Sequence, residues 1–206
     1  MKKIIFITCL SLVVFSCMSQ EEKFKKDIEN SIISYNNNLV DELDAEVKNF
    51  KIKYIDSLNS SKEKEILLNY LIDEHSIIGA QKNEAYQDLH IKDNSLRLSQ
   101  QLSQKYPSYQ NIVERDRLNY SKSSQDFNSL QYDEKILFNS IQKIKSEITK
   151  EAKNKSILAY RVMSDYDVKS KNESTHHVKK IFILSLNKDV FDEENYVSNL
   201  RSKYLK

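Results

Sequence analysis

The amino-acid sequence predicts an α+β fold that is predominantly α: an antiparallel helical hairpin or bundle, then a C-terminal β-hairpin and a terminal helix. Apolar residues recur every three or four positions up to about residue 153, the period of a helix with one buried face. At Ser156 the period becomes two, the period of a strand. One glycine and one proline in 206 residues leave little material for the tight turns of a many-stranded sandwich.

After Phe24, the residues Ile28, Ile32, Leu39, Leu43, Val47, Phe50, Tyr54 and Leu58 keep helical spacing. They read as one long helix, or as two broken at Asn36-Asn37-Asn38. Asn59-Ser60-Ser61 ends that segment, and Ser60 with Glu63 forms a capping-box pattern that opens the next helix. Its apolar face carries Ile66, Leu67, Tyr70, Leu71 and Ile78. A short loop between two long amphipathic segments predicts an antiparallel helical hairpin. Beyond Gly79 the pattern thins. Asp93 or Asn94 reads as the cap of a short helix through Leu96, Leu98 and Leu102, stopped at Tyr106-Pro107 because the residue before proline is pushed out of the α region. Ile112, Val113 and Leu118 mark another short helix, followed by a break at 121–124. Tyr132, Ile136, Leu137, Ile141, Ile144 and Ile148 then trace an amphipathic helix of roughly 23 residues.

From Ser156 the residues Leu158, Tyr160, Val162, Ser164, Tyr166 and Val168 alternate with Ala159, Arg161, Met163, Asp165 and Asp167. After the polar stretch 169–174, His176, Val178, Lys180, Phe182, Leu184 and Leu186 alternate again, which predicts a β-hairpin. A one-residue slip would turn every side chain to the wrong face, so the pattern also predicts the register. Partners whose numbers sum to 344 place Tyr160 opposite Leu184, Val162 opposite Phe182 and Tyr166 opposite Val178 on an apolar face. The same register sets Asp165 against Lys179 and Asp167 against His177 on the polar face. An isolated hairpin is marginal in water, so the apolar face is expected to pack on helices. Asp192 caps a last helix bearing Tyr196, Leu200 and Tyr204.

Residues 2–17, KKIIFITCLSLVVFSC, carry two lysines, an apolar run and Val14-Phe15-Ser16-Cys17. This order resembles a bacterial lipoprotein signal peptide with its lipobox. The apolar run is too short for a permanent span of a hydrocarbon core roughly 30 Å thick. The resemblance implies removal of residues 1–16 and lipid attachment at Cys17, with residence in the cell envelope, on either face of the outer membrane. Residues 17–23 then form a lipidated tether, 24–155 a helical region, and 156–206 the β-hairpin and C-terminal helix packed on it. Cys9 leaves with the peptide and Cys17 is acylated, so no thiol remains for disulfides, zinc or nucleophilic chemistry. Removing Lys2 and Lys3 lowers the 32 basic residues to 30, against 30 acidic ones. The net charge becomes zero, without the basic footprint that nucleic-acid binding requires.

Gly79 alone cannot build a phosphate-cradling loop, a dinucleotide fingerprint or a nucleophile elbow, each of which needs several glycines at fixed offsets. Four clusters carry chemistry-bearing side chains. His176 and His177 lie across the hairpin from Asp167, yet neighbours on a strand point to opposite faces, so one histidine at most joins the aspartate. Asp73-Glu74-His75 sits on a helix without the H-E-x-x-H spacing. The carboxylates Asp41-Glu42-Asp44 and Asp192-Glu193-Glu194 suit first turns of helices. Twelve tyrosines and eight phenylalanines fall mostly at core-period positions. No catalytic residue, cofactor or metal is therefore expected. The sequence leads to a membrane-anchored, non-enzymatic interaction or scaffold module with a protein partner in the envelope. The alternative is a lipoprotein inhibitor or immunity-type protein that blocks a toxin or hydrolase through a rigid loop at 169–174.

Overall fold

The computed structural model of the chain describes residues 19–41, 45–151, 155–170 and 174–206. The fold is α+β and mostly helical. In chain order it comprises α1 (Gln20–Asp41), β1 (Ala45–Leu58), α2 (Ser60–Lys105), a 3₁₀ turn (Pro107–Tyr109), α3 (Gln110–Glu151), β2 (Ala159–Ser170), β3 (Thr175–Ser185), β4 (Val190–Asp192) and α4 (Glu193–Tyr204). These elements form two compact units. One takes the described residues up to Asn59 with Lys155–Tyr196, and the other Ser60–Asn154 with Val197–Lys206.

The first unit is an antiparallel sheet of order β1-β2-β3-β4 with α1 on one face. β2 and β3 pair in the register read from the sequence, Tyr160 with Leu184, Val162 with Phe182, Tyr166 with Val178 and Asp167 with His177. Ile28 and Ile32 of α1 bury against Val162, Tyr166, Phe182 and Leu184. The helix begins on a capping box: Glu22 N donates to Ser19 Oγ at 3.2 Å, and Ser19 N donates to Glu22 Oε2 at 2.8 Å. Residues 20–23, read as tether, are therefore its first turn.

The larger correction concerns 45–58. These residues are not a helix but strand β1, paired antiparallel with β2, so the span 24–155 is not wholly helical. The side chains of β1 that pack on the core are Val47, Phe50, Ile52 and Ile55, whereas Tyr54 is 60 % exposed. Register shifts between Lys48 and Lys51 and between Ile52 and Tyr54 insert extra residues. Alternation is thereby converted into spacings of three, two and three, which imitate a helix.

The second unit contains the antiparallel helical hairpin, built from α2 and α3 rather than from 24–58 and 60–78. Gly79 and the serines at 121–124 interrupt neither helix. The stop before Pro107 is where it was read, with α2 ending at Lys105. Inward positions alternate steps of three and four along both helices: His75, Ile78, Lys82, Ala85, Leu89, Lys92, Leu96 and Ser99 on α2, and Val113, Asp116, Tyr120, Ser123, Phe127, Leu130, Glu134, Leu137, Ile141 and Ile144 on α3. This is the seven-residue repeat of helices that pack along their length. At 46 residues, α2 runs for about 70 Å.

Candidate interaction surface

The two polar clusters and the long hairpin hold the side chains most able to do chemistry or make contacts. On the sheet, His177 lies between two carboxylates. Its Nδ1 is 2.9 Å from Asp167 Oδ1. Its Nε2 is 2.5 Å from Asp165 Oδ1, an ion-pair approach without hydrogen-bond geometry. Asn49 sits at the first irregularity of β1 with φ 54°, a left-handed conformation that asparagine tolerates better than most residues. There its Nδ2 donates to Asp167 Oδ2 at 2.7 Å. The bonds from Asn49 and then His177 hold the Asp167 carboxyl below its ordinary range. Both ring nitrogens of His177 face carboxylates, so neither is turned toward a nucleophile. His176 pairs instead opposite Val168, as the alternation of strand side chains requires.

The other sequence candidates have structural partners. His75 is an inward position of α2 with its ring 6.4 Å from Phe138, and Glu74 accepts from Arg201. Asp192 Oδ1 accepts from Asn195 N at 2.8 Å as the cap of α4, and Glu193 accepts from Arg161 at 2.8 Å. Cys17 and the positions 42–44 lie outside the described residues. Among the described residues, no group of three His, Cys, Asp or Glu could hold a metal ion, and no helix is long and apolar enough to cross a membrane.

The helical unit contains charged residues at its buried positions. Lys64, with its side chain 2 % exposed, places Nζ 3.1 Å from Glu147 Oε2 and 4.8 Å from the Tyr204 ring centre. Glu63 accepts from Lys203 Nζ at 2.8 Å and from Tyr204 OH at 2.7 Å. Burial alone would lower Lys203, but the bonds and charges of Glu63 and Tyr204 together outweigh it and hold the ammonium above its ordinary value. Further along, Lys82 Nζ meets Glu134 Oε2 at 2.5 Å, Ser123 Oγ donates to Asp88 Oδ2 at 2.5 Å, and Ser95 Oγ donates to Asp116 Oδ2 at 3.2 Å. Desolvation pushes Asp116 upward, but bonds from Ser99, Arg115 and Ser95 prevail and hold it below the usual carboxylate range.

Outside this filled core, α2 carries a row of three exposed apolar side chains in one heptad register, with the exposed Glu84 between the first two. Ile77, Ile91 and Leu98, spaced by multiples of seven, are 59, 62 and 58 % exposed. An open cleft of about 210 Å³ lies beside the row, lined by Ile91, Lys92 and Ser95 from α2 and Arg115, Asp116 and Asn119 from α3. The sequence did not reveal this row, because Ile77 lies off the apolar face read through Ile78, and Ile91 falls in the thinned stretch beyond Gly79. A seven-residue count from Ile77 would have found it.

Comparison with protein-family models, curated proteins and solved structures finds no match to this chain.

Proposed function

We propose that the chain is a lipid-anchored protein of the cell envelope that acts by protein contact rather than by catalysis, with the α2–α3 hairpin as its contact surface. The anchor rests on the lipobox-like Val14-Phe15-Ser16-Cys17. The observation that carries the contact role is the row Ile77, Ile91 and Leu98, more than half exposed beside a core that α3 already fills. Scattered exposed apolar residues are ordinary, but a helix with an apolar line next to its filled core has the pattern of a bundle helix with another neighbour.

The test combines anchor and surface. Cys17→Ser is expected to release the protein from membranes washed in high salt. Ile91→Asp with Leu98→Asp is expected to abolish photo-crosslinks formed from Ser95 in cells without lowering helicity. Unchanged membrane binding would sink the anchor, and unchanged crosslinks would sink the surface. A second reading, blocking of a toxin or hydrolase by the loop at 169–174, of which 171–173 lie outside the described residues, draws on the clasp between its described ends. Ser170 N donates to Ser174 O at 3.0 Å, and the two hydroxyls lie 2.7 Å apart.

A further inference from the structure

We infer that the partner of the α2–α3 surface is a second copy of this chain, docked antiparallel so that α2 lies on α2 and α3 on α3. The inference rests on the contact role proposed above and names its partner. On α3, the residues on the cleft side recur at seven-residue intervals through Arg115 and Asn119, which line the cleft. Their charges run from basic to acidic: Arg115 and Lys122, then Asp126 and Asp133, all exposed. Such a row repels itself in parallel and complements itself in antiparallel. Centred on residue 124, a two-fold axis sets Arg115 against Asp133, Lys122 against Asp126 and Ile112 against Ile136 of the other copy. Ile136 is 46 % exposed, and Ile112 is half-buried.

The same axis serves α2. The Asp88–Ser123 hydrogen bond of 2.5 Å puts residue 88 level with 123, and a centre near 88 brings Ile77 of one copy to Leu98 of the other. The α2 pairing is thus compatible with the axis drawn from α3, as an isologous two-fold interface demands, and it sets Ile91 of one copy against Glu84 of the other. The two Asp88 carboxylates meet near that axis, each already bonded to Ser123 and 3.6 Å from Lys92 Nζ. Reversing the row swaps attraction for repulsion, which selects the antiparallel arrangement over the parallel one.

The experiment is sedimentation equilibrium on the full-length chain in detergent micelles. The wild type is expected to be a dimer, and Arg115→Asp with Lys122→Asp is expected to raise its dissociation constant by at least about tenfold. Adding Asp126→Lys and Asp133→Lys restores opposite charges across the axis and is expected to recover the dimer. Far-ultraviolet circular dichroism verifies that each variant keeps its helices. A monomeric wild type, or a four-fold variant no tighter than the double, overturns the inference. The in-cell crosslinks from Ser95 then separate the two claims. If they run to a different protein and depend on Ile91 and Leu98, the contact surface stands and the second copy falls. If none depend on the row, both fall.

Discussion

The two ends of the α2–α3 hairpin are packed on the same seven-residue repeat with opposite chemistry. Toward the start of α2 and the end of α3, the inward residues are mainly apolar, Leu67, Leu71, Leu137, Ile141 and Ile144, all at most 7 % exposed, with the buried Glu63 and Lys64 at the extreme end satisfied by Lys203, Tyr204 and Glu147. Toward the connecting turn they include Ser99, whose hydroxyl donates to Leu96 O, together with Asp116, which accepts from Ser95, and Ser123, which donates to Asp88. Lys82 and Glu134 mark the boundary. The apolar end gains stability from burial, roughly 1.5–3 kcal/mol for each fully buried large side chain. The polar end gains little net, about 0.5–1.5 kcal/mol per hydrogen bond, but a shifted register there leaves donors and carboxylates unmatched. One end supplies stability and the other alignment.

The sharpest way to break this division is at Ile144, which is fully buried. Ile144→Ala is expected to cost about 2–5 kcal/mol in urea denaturation, whereas Ser99→Ala at the polar end is expected to cost no more than about 1 kcal/mol. Equal losses would remove the contrast. At the boundary, Lys82→Leu alone strands Glu134 and is expected to cost about 1–2 kcal/mol, while Lys82→Leu with Glu134→Leu is expected to be neutral or stabilising. A double variant as unstable as the single would mean that the ion pair contributes stability rather than alignment. The smallest effect concerns acid. The Asp116 carboxyl is held below its ordinary value, so its contribution is complete above the unfolded value of about 3.9 and is lost as pH falls through the lower folded one. Thermal melts from pH 5 downward are expected to show the wild type losing its margin over Asp116→Asn in that window. A constant margin would disconnect Asp116 from the fold.

The contrast also explains what could be read in the sequence. The β2–β3 register was legible because both faces impose it: Val162 opposite Phe182 is apolar, and Asp167 opposite His177 is charged. The Asp192 cap was legible because capping is local. Strand β1 was not, since its two irregularities move inward residues from alternation to Val47, Phe50, Ile52 and Ile55, and local spacing cannot reveal a pairing partner more than a hundred residues away. The polar half of the hairpin was hidden for the converse reason. With Lys82, Lys92, Ser99, Asp116 and Ser123 at inward positions, the repeat persists while its hydrophobicity vanishes. Asn49 beside Asp167 gave no local signal, as its role depends on the bulge and on β2 together. The contact row was recoverable in principle, because Ile77, Ile91 and Leu98 keep the heptad interval.

The capping box at Ser19 and Glu22 has a consequence for encounter rates. With a lipid on Cys17, only two peptide steps precede the capped helix, a leash of about 7 Å where a free tether to Phe24 would reach about 25 Å. So short a leash confines diffusion to a thin layer over the bilayer and restricts tumbling. Under the proposed anchor and dimer, two copies would search for each other across a surface rather than through a volume, and an association too weak to persist in dilute solution would become well populated by effective concentration alone.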